Sequence, residues 1–155
     1  MRTFDSVGDL EGFVGKDAIV GDWITIDQDR VDQFAEATDD RQWIHVDRER
    51  ASRGPFGGPI AHGFLTLSLL PHLMGEAFKI NNTVMGVNYG LNKVRFPSPV
   101  LVGSRLRPHF RLKSLEHLPP QLGHPGVQLV WDVTIEREGS DKPVCVAETV
   151  SRRYG

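Results

Sequence analysis

Between Arg105 and Lys113 every odd-numbered residue is polar and every even-numbered one is apolar or proline. A period of two describes a strand with one wet and one dry face, and the dry face needs a second layer over it. Trp131, Val133 and Ile135 alternate with Asp132, Thr134 and Glu136 in the same way. Strands are therefore expected at Val84–Tyr89, Leu91–Phe96, Ser104–Leu115, Val127–Glu136 and Val144–Ser151. Pro119-Pro120 and Gly123–Gly126 read as a loop, and Glu138–Asp141 as a hairpin turn.

The first half of the chain supplies the cover. Val7–Val20 reads as a short helix or turn with a lead-in, and Trp23–Ile26 as a short strand. Asp27 or Asp29 can cap a helix reaching about Thr38, with Val31, Phe34 and Ala35 on its apolar face. A second short helix is expected over Asp47–Ser52, then a glycine- and proline-rich turn over Gly54–Pro59. Gly63–Phe78 is the most apolar helix candidate: Leu65, Leu67, Leu69, Leu70, Leu73, Met74 and Phe78 leave it little polar surface. Pro71 removes one helical hydrogen bond and predicts a kink. Helices followed by an antiparallel run of strands make an α+β fold, with a curved sheet wrapped around a long central helix. The 155 residues fit one domain, residues 1–155.

A formal charge of −2 argues against a nucleic-acid binder, which concentrates cations on one face. No stretch approaches the roughly 20 apolar residues of a membrane span, and Met1–Asp5 does not open a signal peptide. Cys145 has no second cysteine to pair with, so a reducing compartment is permitted and the cytoplasm is the expected location.

Two short blocks carry the chemistry: Asp40-Arg41-Gln42-Trp43-Ile44-His45 and Gly58-Pro59-Ile60-Ala61-His62-Gly63-Phe64-Leu65. An Asp, four intervening residues and a His, followed by an Ile-Ala-His-Gly block opening the central helix, resembles the MaoC-like hydratases of the hot-dog fold. Leu91–Val100 with Gly103 is similar to that family's strand and turn after the helix. Asp39, Gln42 and Trp43 stand where the family usually has Gly, Asn and Pro, and this variant resembles the nodulation-protein-N-like subgroup. The resemblance implies an (R)-specific enoyl-CoA hydratase that needs no cofactor and no metal. It further implies a CoA or carrier-protein thioester as substrate and a second copy of the chain as partner.

Hydration of an α,β-unsaturated thioester requires a base for water, a proton for the α-carbon and donors for the thioester oxygen. A carboxylate and an imidazole converging on one water supply the proton traffic, which assigns Asp40 and His45 jointly. Five residues apart, they cannot share one face of a straight helix, so a bent segment is expected. Gly63, at a helix start, is the expected oxyanion donor, since its backbone N–H lacks a helical partner and no Cβ blocks approach. Trp43, Phe56, His62 and Phe64 are candidate substrate contacts, and each also reads as a packing residue. His45, Asp47, His62 and His72 match no zinc spacing. The cationic row from Arg105 to Lys113 reads as a solvated strand face. Two other functions fit the fold: a hot-dog thioesterase, disfavoured because Gly63–Met74 holds no carboxylate, and a non-catalytic acyl-thioester-binding or dehydratase-subunit module.

Overall fold

The computed structural model describes residues Met1–Gly155. In order, the chain runs β1 (Arg2–Phe4), a 3-10 turn (Val7–Phe13), β2 (Ile19–Val20), β3 (Ile24–Thr25), α1 (Gln28–Thr38), α2 (Trp43–Val46) and α3 (Arg48–Ser52). It continues through α4 (Gly63–Ser68), α5 (Leu70–Ala77), β4 (Phe78–Ile80), β5 (Met85–Arg95), β6 (Arg105–Gln121), β7 (His124–Arg137) and β8 (Cys145–Tyr154). The expected α+β layering is present: a six-stranded sheet in the order β2-β6-β7-β8-β5, with β3 also on β6, packs against the helices.

The alternating residues behave as their pattern demands. Leu106, Phe110, Leu112, Trp131, Val133 and Ile135 are buried, while on the wet face Arg107 and His109 both bond Glu136. Leu65, Leu70, Leu73 and Ala77 bury the helical side of the same core. Phe78 stacks on Trp131 with ring centroids 4.8 Å apart, joining the two layers.

Three expectations need correction. The central helix is not one unbroken run from Gly63 to Phe78: it is interrupted at Leu69 between α4 and α5 and ends at Ala77. Leu69 keeps right-handed helical dihedrals and bonds Leu65 and Leu73, so the interruption is the bond that Pro71, lacking an N–H, cannot give to Leu67. The two strands expected either side of Gly90 are one strand, β5, carrying irregularities between Asn88 and Gly90 and between Leu91 and Lys93. Pro119-Pro120 lies within β6, not in a loop. The register slips between Leu118 and Gln121, so the two residues without N–H groups fall where the ladder is already interrupted. The reversal comes later, at Leu122 and Gly123, which have φ of 50° and 79°. A parallel pair, β1 with β4, was not foreseen, and it brings Phe4 edge-on to Phe78.

Candidate active site

Asp27 caps α1, accepting from the Arg30 N–H, and Asp39 closes it in the left-handed region at φ 60°. That reversal turns the chain off the helix axis and is the bend needed to bring positions 40 and 45 together. The short turn α2 then points His45 inward, leaving it 6% exposed. Gln28 holds the turn from α1 by donating to the His45 carbonyl at 2.8 Å. The second block is tied to the first by Ile60 N–H to the Ile44 carbonyl (3.0 Å) and to the sheet side by Ala61 N–H to the Val100 carbonyl (2.8 Å).

Hydrogen bonding assigns the protons. His45 Nδ1 lies 2.7 Å from the Ile60 carbonyl, which can only accept, so Nδ1 carries the hydrogen and Nε2 keeps its lone pair. His62 Nε2 lies 2.9 Å from the Asp40 carbonyl and by the same logic donates to it. The His62 ring is buried (2% exposed), stacked on His45 at 3.7 Å and 22°, with Phe34 on it at 4.9 Å. Burial holds the His45 pKa below the ordinary imidazole value and nearby His62 pushes the same way, while the Ile60 carbonyl and Asp40 pull against them.

Asp40 is half exposed at the mouth of this cluster. One carboxylate oxygen of Asp40 and one ring nitrogen each of His45 and His62 lie within 4.8 Å of one another. A single water hydrogen-bonded to two such groups spans that separation. A metal ion fits poorly. Imidazole lone pairs lie in the ring planes, and two nearly parallel rings 3.7 Å apart direct them side by side rather than at one point.

Gly63 begins α4 directly after His62, and the N–H groups of Gly63 and Phe64 meet no backbone acceptor. A Cβ on Gly63 would lie 2.8 Å from the Phe96 ring, so close packing of that ring requires glycine. The structure thus gathers Asp40, His45 and His62, with Gly63 next in the chain after His62. It does not gather the three aromatic candidates around a shared cavity. Trp43 lies under Arg50 at 4.3 Å and against Gly54, while Phe56 and Phe64 are 40% and 66% exposed. A cavity of about 770 Å³ opens instead along the central helices, walled by Leu67, Leu70, Met74 and Phe78 and by β5 and β8. The stripe at positions 67, 70, 74 and 78 was the available signal for that wall, but it is indistinguishable in sequence from a stripe that fills a core.

Comparison with known proteins identifies relatives in sequence and in fold. The MaoC-like domain family matches residues 11–117. The chain is 52% identical over 152 residues to 3-hydroxyacyl-thioester dehydratase Z of Mycobacterium tuberculosis, covering 98% of each chain. It is 43% identical over 148 residues to nodulation protein N of Rhizobium leguminosarum, covering 94% of this chain and 89% of that one. In fold it resembles the MaoC-like dehydratase from Rhodospirillum rubrum (TM-score 0.71, 18% identity, 94% and 95% covered). It also resembles the R-hydratase from Pseudomonas aeruginosa (TM-score 0.65, 23% identity, 89% and 79% covered). With the hot-dog architecture, both sequence blocks and a domain match over most of its length, this chain belongs to the MaoC-like family.

Proposed function

We propose that this chain, acting as one domain over residues 1–155, is an (R)-specific enoyl-thioester hydratase whose catalytic pair is Asp40 and His45. The observation that carries the reading is their convergence within 4.8 Å across a partly open mouth, with His45 Nε2 free to accept a proton. Water held between them loses a proton as its oxygen bonds to the β-carbon, and the electron pair of the double bond shifts toward the thioester. The free N–H at Gly63 receives the oxygen that becomes enolate-like. A proton returned from the pair to the α-carbon completes the 3-hydroxyacyl product. The reverse sequence is dehydration, the direction named in its Mycobacterium relative. His62 acts behind the pair rather than on substrate, since its ring is covered and its Nε2 is engaged. No redox or cofactor step is needed for this balance.

A thioesterase reading lacks support because Glu76, the first carboxylate on α4 or α5, is exposed and late. The substrate is an acyl thioester of CoA or of a carrier protein. No helix is long and apolar enough to cross a membrane, and the reading places the reaction in cytoplasmic fatty-acid metabolism. The free edge of the sheet, β5, exposes Met85, Val87, Tyr89 and Leu91, which suits pairing with a second copy in a homodimer.

The deciding assay offers crotonyl-CoA and longer trans-2-enoyl-CoAs and follows loss of the enoyl absorbance, with product chirality determined alongside. Asp40→Asn and His45→Ala are each expected to lower kcat/KM by about 100-fold or more, the usual cost of removing an acid–base group. Wild-type turnover in either variant, or release of free thiol in place of hydration, would overturn the assignment.

A further inference from the structure

The cavity along the central helices contains an unbalanced charge. Its wall includes two cations, Lys79 and Arg153, and no carboxylate. Lys79 is exposed, so water solvates it, whereas Arg153 is drawn into the wall and burial lowers its pKa, with no neighbouring charge as a cause. Gly86, its partner on β5, makes room for the guanidinium: a Cβ there would collide with Nη1. A desolvated cation beside apolar surface is costly unless something anionic meets it.

The rest of the wall is apolar: Leu67, Leu70, Met74, Phe78, Leu91 and Val150. From Leu67 to Phe78 the helices cover roughly 16 Å, and about 770 Å³ lies in the ordinary range for a small-molecule site. We propose that this cavity binds an apolar chain ending in a carboxylate, with Arg153 receiving the carboxylate and the helical stripe receiving the chain. A single desolvated cation matches a monoanion, and the guanidinium fork matches a carboxylate's two oxygens. Such a carboxylate comes from one of two sources, a free fatty acid or the far end of the substrate's own acyl chain. Only the second rests on the hydratase reading.

Calorimetric titration of the full chain with decanoate and with decanol tests the site without using turnover. Wild type should bind decanoate at least tenfold more tightly than decanol. Arg153→Met, verified as folded by circular dichroism, should bring the two together, and Arg153→Lys should keep part of the preference. Equal affinities in wild type, a preference that survives in Arg153→Met, or no heat with either ligand because a second copy fills the cavity, would overturn it. Kinetics separate the sources. A KM at least tenfold lower for an enoyl-CoA bearing a terminal carboxylate than for its unsubstituted counterpart, lost in Arg153→Met, identifies the substrate's own end. Decanoate binding without that KM preference identifies a free carboxylate.

Discussion

Asp39 occupies a conformation that costs most L-residues on the order of 1–2 kcal/mol, at the position where relatives of this type usually carry glycine. Asp tolerates it better than most, and its exposed 2.9 Å pair with Arg41 adds little. Asp39→Gly should therefore hold or raise stability, while Asp39→Ala should lose about 1 kcal/mol, both read from urea unfolding. At His45 the lowered pKa sets a pH dependence with a definite sign. The folded chain resists protonating this ring, while the unfolded chain takes up the proton near pH 6.5. The His45 contribution to stability is thus full above about pH 6.5 and is lost as pH falls from there toward the lowered value. The base form likewise persists below pH 6.5, so the acid limb of kcat/KM should lie below it, and an NMR titration of the His45 ring should give the same lowered midpoint. The identity of this residue was legible from its block. Its proton assignment was not, because the partner that decides it, the Ile60 carbonyl, arrives from a separate block fifteen residues on. The shielding of His62 was hidden for the same reason: its contact with Asp40 spans 22 residues.

Among the elements, the junction of α4 with the chain after β5 is the tightest point of the site. Gly63→Ala should displace the Phe96 ring and cost about 1–3 kcal/mol, the usual penalty of overpacking. Phe96→Leu in the same background should recover much of that loss, because it removes the obstructing ring edge. Thermal unfolding of the two single variants and the double variant reads the non-additivity. The start, the apolar face and the missing hydrogen bond of this helix were all visible in sequence: a proline announces the lost bond, and the interruption at Leu69 falls inside the turn that bond would have closed. The prolines of β6 taught the opposite lesson: residues that usually end a strand were absorbed by a slip in register. Alternation, by contrast, is enforced residue by residue by the wet and dry faces, and β6 and β7 were read correctly through their middles.

At the scale of the molecule, the sheet ends in the two-residue strands β2 and β3 on one side and in the long strand β5 on the other, where four large apolar side chains face solvent. A homodimer formed on that edge should be weakened at least tenfold by Val87→Lys, seen as a shift toward monomer in sedimentation at micromolar concentration, since a lysine on an edge strand opposes pairing. The layering as a whole was legible because the change of hydrophobic period divides the chain into a cover and a sheet. The short pairings of β2 and β3 with β6 were not, since they join residues 19–25 to residues 105–110. That connection bears on how the protein is made. A ribosome releases the segment holding Asp40, His45 and Gly63 long before β6, β7 and β8 exist, and those strands supply the surface on which the segment packs. The neighbouring strands β6 and β7 can zip locally as soon as they emerge, whereas the earlier segment must wait for them. The part proposed to perform the chemistry is therefore synthesised early and is expected to acquire its shape last.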